Sequence, residues 1–161
     1  MALNMVLTTI IGQCVGGSRY DRAKDYLKCA LRYGCVLLVI LSVLVVGFSK
    51  QLSGLFVKSE DVAAIVGTYF LIVSIGYILN TVTNCYLGAL NGMGKPSKSM
   101  FLMIFYYIVV RMPLAYLLSY LGFGLNGIWV AVLVSHVVAS VTAFTMNHLN
   151  QSHFGATPTR M

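Results

Sequence analysis

From Val62 to Gly94 the chain runs VAAIVGTYFLIVSIGYILNTVTNCYLGALNGMG, a stretch without Asp, Glu, Lys or Arg. No acidic residue follows Asp61 anywhere in the 161-residue chain. A helix needs about 20 mostly apolar residues to cross the hydrocarbon core of a bilayer, so this stretch is predicted to span a membrane. Three further stretches meet the same criterion. The sequence therefore predicts an all-α polytopic membrane helix bundle with four complete transmembrane helices, at residues 31–49, 62–90, 99–121 and 125–146.

The overall composition agrees with a membrane environment. Hydrophobic residues make up 58% of the chain and charged residues only 9%, against roughly 25% charged in soluble domains. The net charge of +7 comes from Lys and Arg scattered over short connections. Phospholipid headgroups are therefore the expected counterions, and nucleic acid is not an expected partner. Four cysteines lack CxxC spacing and partner histidines, and are expected to be apolar fillers rather than metal ligands: Cys14, Cys29, Cys35 and Cys85.

The distribution of charge predicts how the chain is oriented. Basic and neutral connections alternate along the sequence, at residues 12–32, 50–61, 95–98 and 122–124. The positive-inside rule places the first and third of these, and the C-terminus, in the cytoplasm. We therefore expect a multi-pass protein of the plasma membrane. Aromatic residues around the uncharged fourth connection are expected at the outer membrane interface: Tyr116, Tyr120, Phe123 and Trp129.

The two ends of the chain differ from the complete spans. The apolar run at residues 1–11 is about half the length of a span and looks like the end of a helix whose beginning is missing. This adds a partial N-terminal helix to the four complete ones. We therefore interpret residues 1–147 as part of a transmembrane lobe and residues 148–161 as a disordered cytoplasmic tail.

Three phrases, in order along the chain, carry the most specific signal. They are GQCVGG at 12–17 with DRAK at 21–24, GALNGMGKP at 88–96, and RMPLAY at 111–116 with GIWVA at 127–131. Together they resemble the multidrug and toxic compound extrusion (MATE) transporters, over roughly residues 8–147. The resemblance implies a twelve-helix fold in two six-helix lobes, with this chain as a partial C-terminal lobe. The GxxxG spacings at 12–16 and 88–92 also predict close helix packing.

Arg111 is the only formally charged residue deep in a predicted span. An ionisable residue inside a membrane suggests a functional site. A structural role is the alternative, because Pro113 cannot donate a hydrogen bond to the carbonyl of Val109. The guanidinium could then satisfy freed carbonyls or contact the bundle interior.

Three polar residues, Asn80, Thr83 and Asn84, share one face of the second predicted span. They are expected either to hold helices together or to line a substrate path. In some MATE subgroups a carboxylate eight residues before the first glycine of the second phrase helps to bind the coupling ion. Here that position is Asn80, and an amide cannot carry a proton. The coupling ion, Na+ or H+, is therefore expected to bind in the missing N-terminal lobe.

Two further residues complete the candidate substrate path. His136 lies in the middle of a predicted span and could relay a proton or hydrogen-bond to a neighbour. Tyr106, like Tyr69, Tyr77 and Tyr107, could stack on an aromatic or cationic substrate or simply pack in the interior. No residues form a recognisable catalytic set or metal site, so an enzyme and a bound cofactor are not expected.

The resemblance implies part of a cation-coupled antiporter that exports cationic or amphipathic organic compounds in exchange for Na+ or H+. Its expected partners are the lipid bilayer, the missing N-terminal lobe and small organic cations. Since substrates of such carriers bind between two lobes, the chain is not expected to transport alone. Two alternatives remain open. One is a flippase of lipid-linked oligosaccharides from the same superfamily, which an Arg111 facing the cavity would favour, and the other is a small membrane scaffold protein.

Overall fold

The computed structural model describes residues 2–48 and 60–154, and nearly all of these are helical. Two π-helical segments, Phe105–Arg111 and Ser119–Phe123, interrupt the α-helical structure within the third span. The described part contains six α-helices: α1 Ala2–Gly16, α2 Tyr20–Gly47, α3 Glu60–Gly92, α4 Pro96–Ile104, α5 Met112–Leu118 and α6 Gly124–Phe154.

Four stretches of the described chain are long and apolar enough to cross a membrane. They are Tyr20–Gly47, Thr68–Gly92, Pro96–Phe123 and Asn126–Leu149. The third combines α4, α5 and both π-helical segments. Helix α1 has 15 residues and is shorter than a span. The predicted all-α membrane bundle, with four complete helices and a partial one before them, is confirmed.

The first predicted connection, residues 12–32, is wrong in its extent. Helix α1 continues to Gly16 and α2 begins at Tyr20, so only residues 17–19 connect them. Most of the charged residues that suggested a loop lie instead at exposed positions of α2, while Ala23 and Leu27 are buried. Because residues four apart share a helix face, this segment is an amphipathic helix start.

Glycines with positive φ form the other two described connections. Gly94 has a φ of +72°, and the N–H of Lys95 donates to the carbonyl of Leu90 at 3.0 Å. This is a glycine-type helix end, after which Pro96 opens α4. Gly122 and Gly124, with φ of +87° and +52°, form the turn before α6. Residues 50–59 of the predicted connection at 50–61 lie outside the described part. Its last two residues, Glu60 and Asp61, are the first residues of α3.

Helix α6 does not stop at the predicted tail boundary but continues to Phe154. The sequence from 148 to 154 contains no Gly or Pro, the residues that most often end a helix. The first part of the predicted disordered tail, 148–161, is therefore helical. Residues 155–161 lie outside the described part.

Helix α3 is the centre of the bundle and packs against α1, α2 and α6. Its contact with α1 is very close, because a Cβ added at Gly88 would lie 2.7 Å from the carbonyl oxygen of Asn4. At Gly92 it would lie 2.8 Å from that of Thr8. The predicted close packing is therefore confirmed for 88–92. For 12–16 it holds only at Gly12, where an added Cβ would lie 3.6 Å from the backbone oxygen of Gly92, because a Cβ at Gly16 meets nothing within 4 Å.

Candidate functional site

A cavity of about 280 Å³ lies among the membrane spans, between α3, the π-helical segment Phe105–Arg111 and α6. On α3 and α6 its lining residues repeat with helical spacing, so each helix contributes one face. Helix α3 contributes Tyr69, Ile72, Val73, Gly76, Tyr77 and Asn80. Helix α6 contributes Trp129, Val132, Leu133 and His136, and the π-helical segment contributes Tyr107 and Arg111.

Arg111 is the charged centre of this cavity. Its Nε donates to the hydroxyl of Ser135 at 3.0 Å, and one terminal nitrogen lies 3.2 Å from Nε2 of His136. The guanidinium carbon also lies 4.6 Å from the centre of the Tyr107 ring, a cation–π distance. In the described part of the chain, Arg111 therefore turns toward α6 and the cavity rather than toward the carbonyls near Pro113.

His136 faces the same cavity from α6. A guanidinium can only donate hydrogen bonds, so Nε2 of His136 accepts the bond from Arg111 and the ring proton lies on Nδ1. Nδ1 is buried and has no hydrogen-bond partner among the described residues. Ser135, the other partner of Arg111, donates its own proton to the carbonyl of Val132 at 2.7 Å. Arg111 is thus held by two adjacent side chains of one helix.

The three polar residues of α3 take different positions. Asn80 lines the cavity. Asn84 supports it, because the Nδ2 of Asn84 donates to both the backbone oxygen and Oδ1 of Asn80, at 2.8 and 3.1 Å. Thr83 is fully buried, and its hydroxyl lies 3.0 Å from that of Ser140 on α6. The carbonyl of Leu79 lies 3.1 Å from the Thr83 hydroxyl and 3.0 Å from the Ser140 hydroxyl, so one hydroxyl can donate to this carbonyl while the other donates between the two hydroxyls. Thr83 therefore joins two helices rather than facing the cavity.

The aromatic residues do not all lie where the sequence suggested. Tyr106 is 3% exposed and packs with Leu87 and Leu102 in the core, away from the cavity. Its neighbour Tyr107 lines the cavity instead. Trp129, expected at the membrane interface, packs on Tyr69 with ring centres 5.3 Å apart and also lines the cavity.

The cavity therefore has two chemically different ends. Trp129 and Tyr69 form an aromatic end, whereas Asn80, Arg111 and His136 form a polar end. His136 lies seven positions after Trp129, or about 10 Å along a helix. No cluster of His, Cys, Asp and Glu that could hold a metal ion occurs among the described residues. Such a cavity can bind an amphipathic organic molecule.

Ser135 and Trp129 were not predicted as site residues, and Tyr107 was predicted only as one of four tyrosines that could stack on a substrate. Tyr107 precedes Arg111 by four positions, a spacing that places both side chains on one side of a helix. Ser135 directly precedes His136. The combination of an aromatic stripe and polar residues at helical spacing, on two spans at once, was the signal that could have identified them.

These features define a polytopic α-helical membrane protein with a ligand-sized cavity among its spans. The MatE family model matches residues 1–117 of the chain. The chain belongs to this family of multidrug and toxic compound extrusion transporters, as the resemblance implied. Its members are transporters rather than enzymes.

Similar proteins support the same assignment. The "probable multidrug resistance protein NorM" of Pasteurella multocida is 33% identical over 145 residues, which cover 87% of this chain and 31% of that protein. The protein of the same name from Mannheimia succiniciproducens is 30% identical over 149 residues, covering 89% and 32%. A solved MATE transporter in an inward-facing conformation has a TM-score of 0.87 at 19% identity, covering 97% of this chain and 36% of that one. The chain spans about a third of the length of these relatives.

Proposed function

We propose that this chain forms part of an antiporter that exports amphipathic or cationic organic compounds in exchange for Na+ or H+. The observation that carries the proposal is the cavity among the spans, with an aromatic end at Trp129 and a polar end at Arg111. Aromatic faces bind both flat apolar groups and cations. A substrate with an aromatic body and a polar group would fit both ends.

The position of Arg111 limits where a cation could bind. Like charges repel strongly in a medium of low dielectric constant, so a cationic group would lie at the aromatic end, near Tyr69 and Trp129. No carboxylate lines this cavity among the described residues. The coupling ion is therefore proposed to bind in the first lobe of the full-length transporter, and the C-terminus is proposed to lie in the cytoplasm.

Growth assays test whether the chain needs a second lobe. Cells would produce the chain alone, or together with the first lobe of a full-length relative, and be exposed to toxic organic cations such as ethidium. We expect resistance only when both are produced, because substrates of such carriers bind between two lobes. Resistance from the chain alone would contradict this proposal.

A flippase of lipid-linked oligosaccharides is the second candidate, and the location of Arg111 favours it. The pyrophosphate of such a lipid is anionic, and an arginine in a cavity is a suitable partner for phosphate. If this candidate is correct, Arg111→Gln abolishes glycan export by the assembled transporter and leaves dye efflux unchanged. Arg32→Gln is the matched control, because Arg32 is exposed on α2 and outside the cavity. Altered dye efflux in Arg111→Gln, with glycan export unchanged, would favour the antiporter instead.

A further inference from the structure

A second cavity, of about 290 Å³, lies between α2 and α6 over the side of α3. We call it the basic groove. Its α2 wall contains Lys24, Lys28 and Leu31, its base contains Tyr86, and its α6 wall contains Phe144 and His148. It shares no lining residue with the cavity around Arg111.

The groove combines positive charge with a shape that can hold a headgroup. Lys24 and Lys28 are four residues apart on α2 and therefore lie one above the other along one helix face. The acidic residues of the same helix segment, Asp21 and Asp25, do not line the groove. The lining among the described residues is thus positive, with His148 as a further hydrogen-bonding group on the opposite wall.

The inner surface of the groove is aromatic. The ring of Phe144 packs edge-on against Tyr86, with centres 5.8 Å apart, and lies 6.2 Å from the ring of His148. This row of three rings lines the groove from Tyr86 to His148. It also gives an apolar surface that continues from the polar rim toward the membrane interior.

The groove lies at the level where the apolar parts of both helices end. On α2 the uncharged stretch begins after Arg32, one turn beyond Lys28. On α6 the membrane-length segment ends at Leu149, next to His148. The groove is therefore at the depth of lipid headgroups, and the positive-inside prediction places it in the cytoplasmic leaflet, where anionic lipids are found.

We propose that the basic groove binds an anionic phospholipid, with the headgroup phosphate between Lys24, Lys28 and His148 and one acyl chain along Phe144. Basic pockets between spans on the cytoplasmic side are suited to such headgroups. Ammonium groups bind phosphate as point charges. The aromatic surface excludes water from the acyl chain of the lipid. This site is separate from the substrate cavity and does not depend on the proposed transport function.

Native mass spectrometry of the purified full chain in detergent tests the proposal. Dioleoyl phosphatidylglycerol is titrated against the protein, with dioleoyl phosphatidylcholine as the zwitterionic comparison of zero net charge. We expect the anionic lipid to bind and Lys24→Gln with Lys28→Gln to weaken it by about thirtyfold. The matched control is Arg22→Gln with Arg32→Gln, which removes the same charge from exposed positions of α2 outside the groove.

The control variant should bind the anionic lipid as the unchanged protein does. Equal loss in both variants would indicate diffuse attraction to the positive surface and overturn the proposal. Unchanged binding in the lysine variant, or equal binding of phosphatidylcholine, would also overturn it.

Photocrosslinking with a phosphatidylglycerol that carries a diazirine on its acyl chain provides a measurement on the unchanged protein. We expect crosslinks near Leu31 and Phe144, and no displacement of the lipid by excess inorganic phosphate. Crosslinks spread evenly over all spans would contradict a defined site. Displacement by phosphate would show a site for free anions instead of a lipid.

Discussion

The two halves of α3 differ sharply in how they are packed. In the C-terminal half, Gly88 and Gly92 bring the backbone of α1 so near that an added methyl group would overlap it. In the N-terminal half, the face from Tyr69 to Asn80 lines an open cavity. A single helix thus forms both the most closely packed contact of the bundle and the wall of its candidate site.

The most recognisable part of the sequence is therefore not the part that forms the candidate site. The glycine phrase at 88–96 is the most recognisable part of the sequence, and the structure uses it to hold α1 against α3. The cavity depends on less distinctive residues, such as Tyr107 and His136. The closely packed half therefore fixes the position of the helix, while the other half forms the wall of the cavity.

The largest expected effect comes from filling the close contact. In Gly92→Ala the new Cβ would lie 2.8 Å from the backbone oxygen of Thr8 and 2.9 Å from Cβ of Ile11. Backbone cannot move aside as a flexible side chain can, so α1 must shift. We expect the free energy of unfolding to fall by about 1–3 kcal/mol, as for other overpacked sites. It can be measured by titration with sodium dodecyl sulfate in mixed micelles.

Gly12→Ala is the matched control for this change. Its Cβ would lie 3.6 Å from the oxygen of Gly92, an ordinary contact. Since Ala also favours a helix over Gly, this variant should be as stable as the unchanged chain or more so. Equal destabilisation by both substitutions would mean that the contact at Gly92 is not specially close.

Much of the fold could be predicted because membrane spans depend on length and apolarity alone. A long stretch without charge, such as 62–90, leaves few alternatives to a helix that spans the membrane. The connections were harder to predict. The charged residues of α2 suggested a loop, because a helix that begins outside the bilayer carries the same Lys and Arg as a loop does. Only the buried residues Ala23 and Leu27, which lie four positions apart among these charges, distinguish an amphipathic helix from a loop here.

The candidate site was only partly predictable. Asn80, Arg111 and His136 do line one cavity, because polar side chains in a span turn away from lipid. Tyr106 and Tyr107 could not be told apart in the same way. They are adjacent and of the same type, so residue type and depth in the span do not distinguish them. The i, i+4 relation of Tyr107 to Arg111 is the feature that separates them.

A change at the open half of α3 has the next largest expected effect. Asn80→Asp brings the formal charge of the cavity lining from +1 to zero, because Arg111 is the charged residue among those that line it. We expect the affinity for tetraphenylphosphonium, an aromatic cation, to rise about tenfold. Trp129 is the only tryptophan of the chain and lines the cavity, so its fluorescence can follow the titration.

Asn91→Asp on the same helix provides the comparison for Asn80→Asp. Asn91 is outside the cavity, so the same change of charge there should leave the affinity unaltered. A similar gain from Asn91→Asp would mean that the cation responds to the overall charge and not to the cavity. No gain from either would show that the aromatic cation does not bind in this cavity.

The smallest expected effect lies between the two halves, at Thr83. Its hydroxyl joins α3 to Ser140 of α6, and Thr83→Val removes it with little change of shape. Hydrogen bonds between membrane helices contribute about 0.6 kcal/mol on average, so the free energy of unfolding should fall by about that amount. In Thr145→Val, the control, the lost bond is only to Val141 of the same helix on an exposed face, and stability should not change. If Thr83→Val instead lowers stability as much as Gly92→Ala, polar contacts rather than glycine packing hold α3 in place.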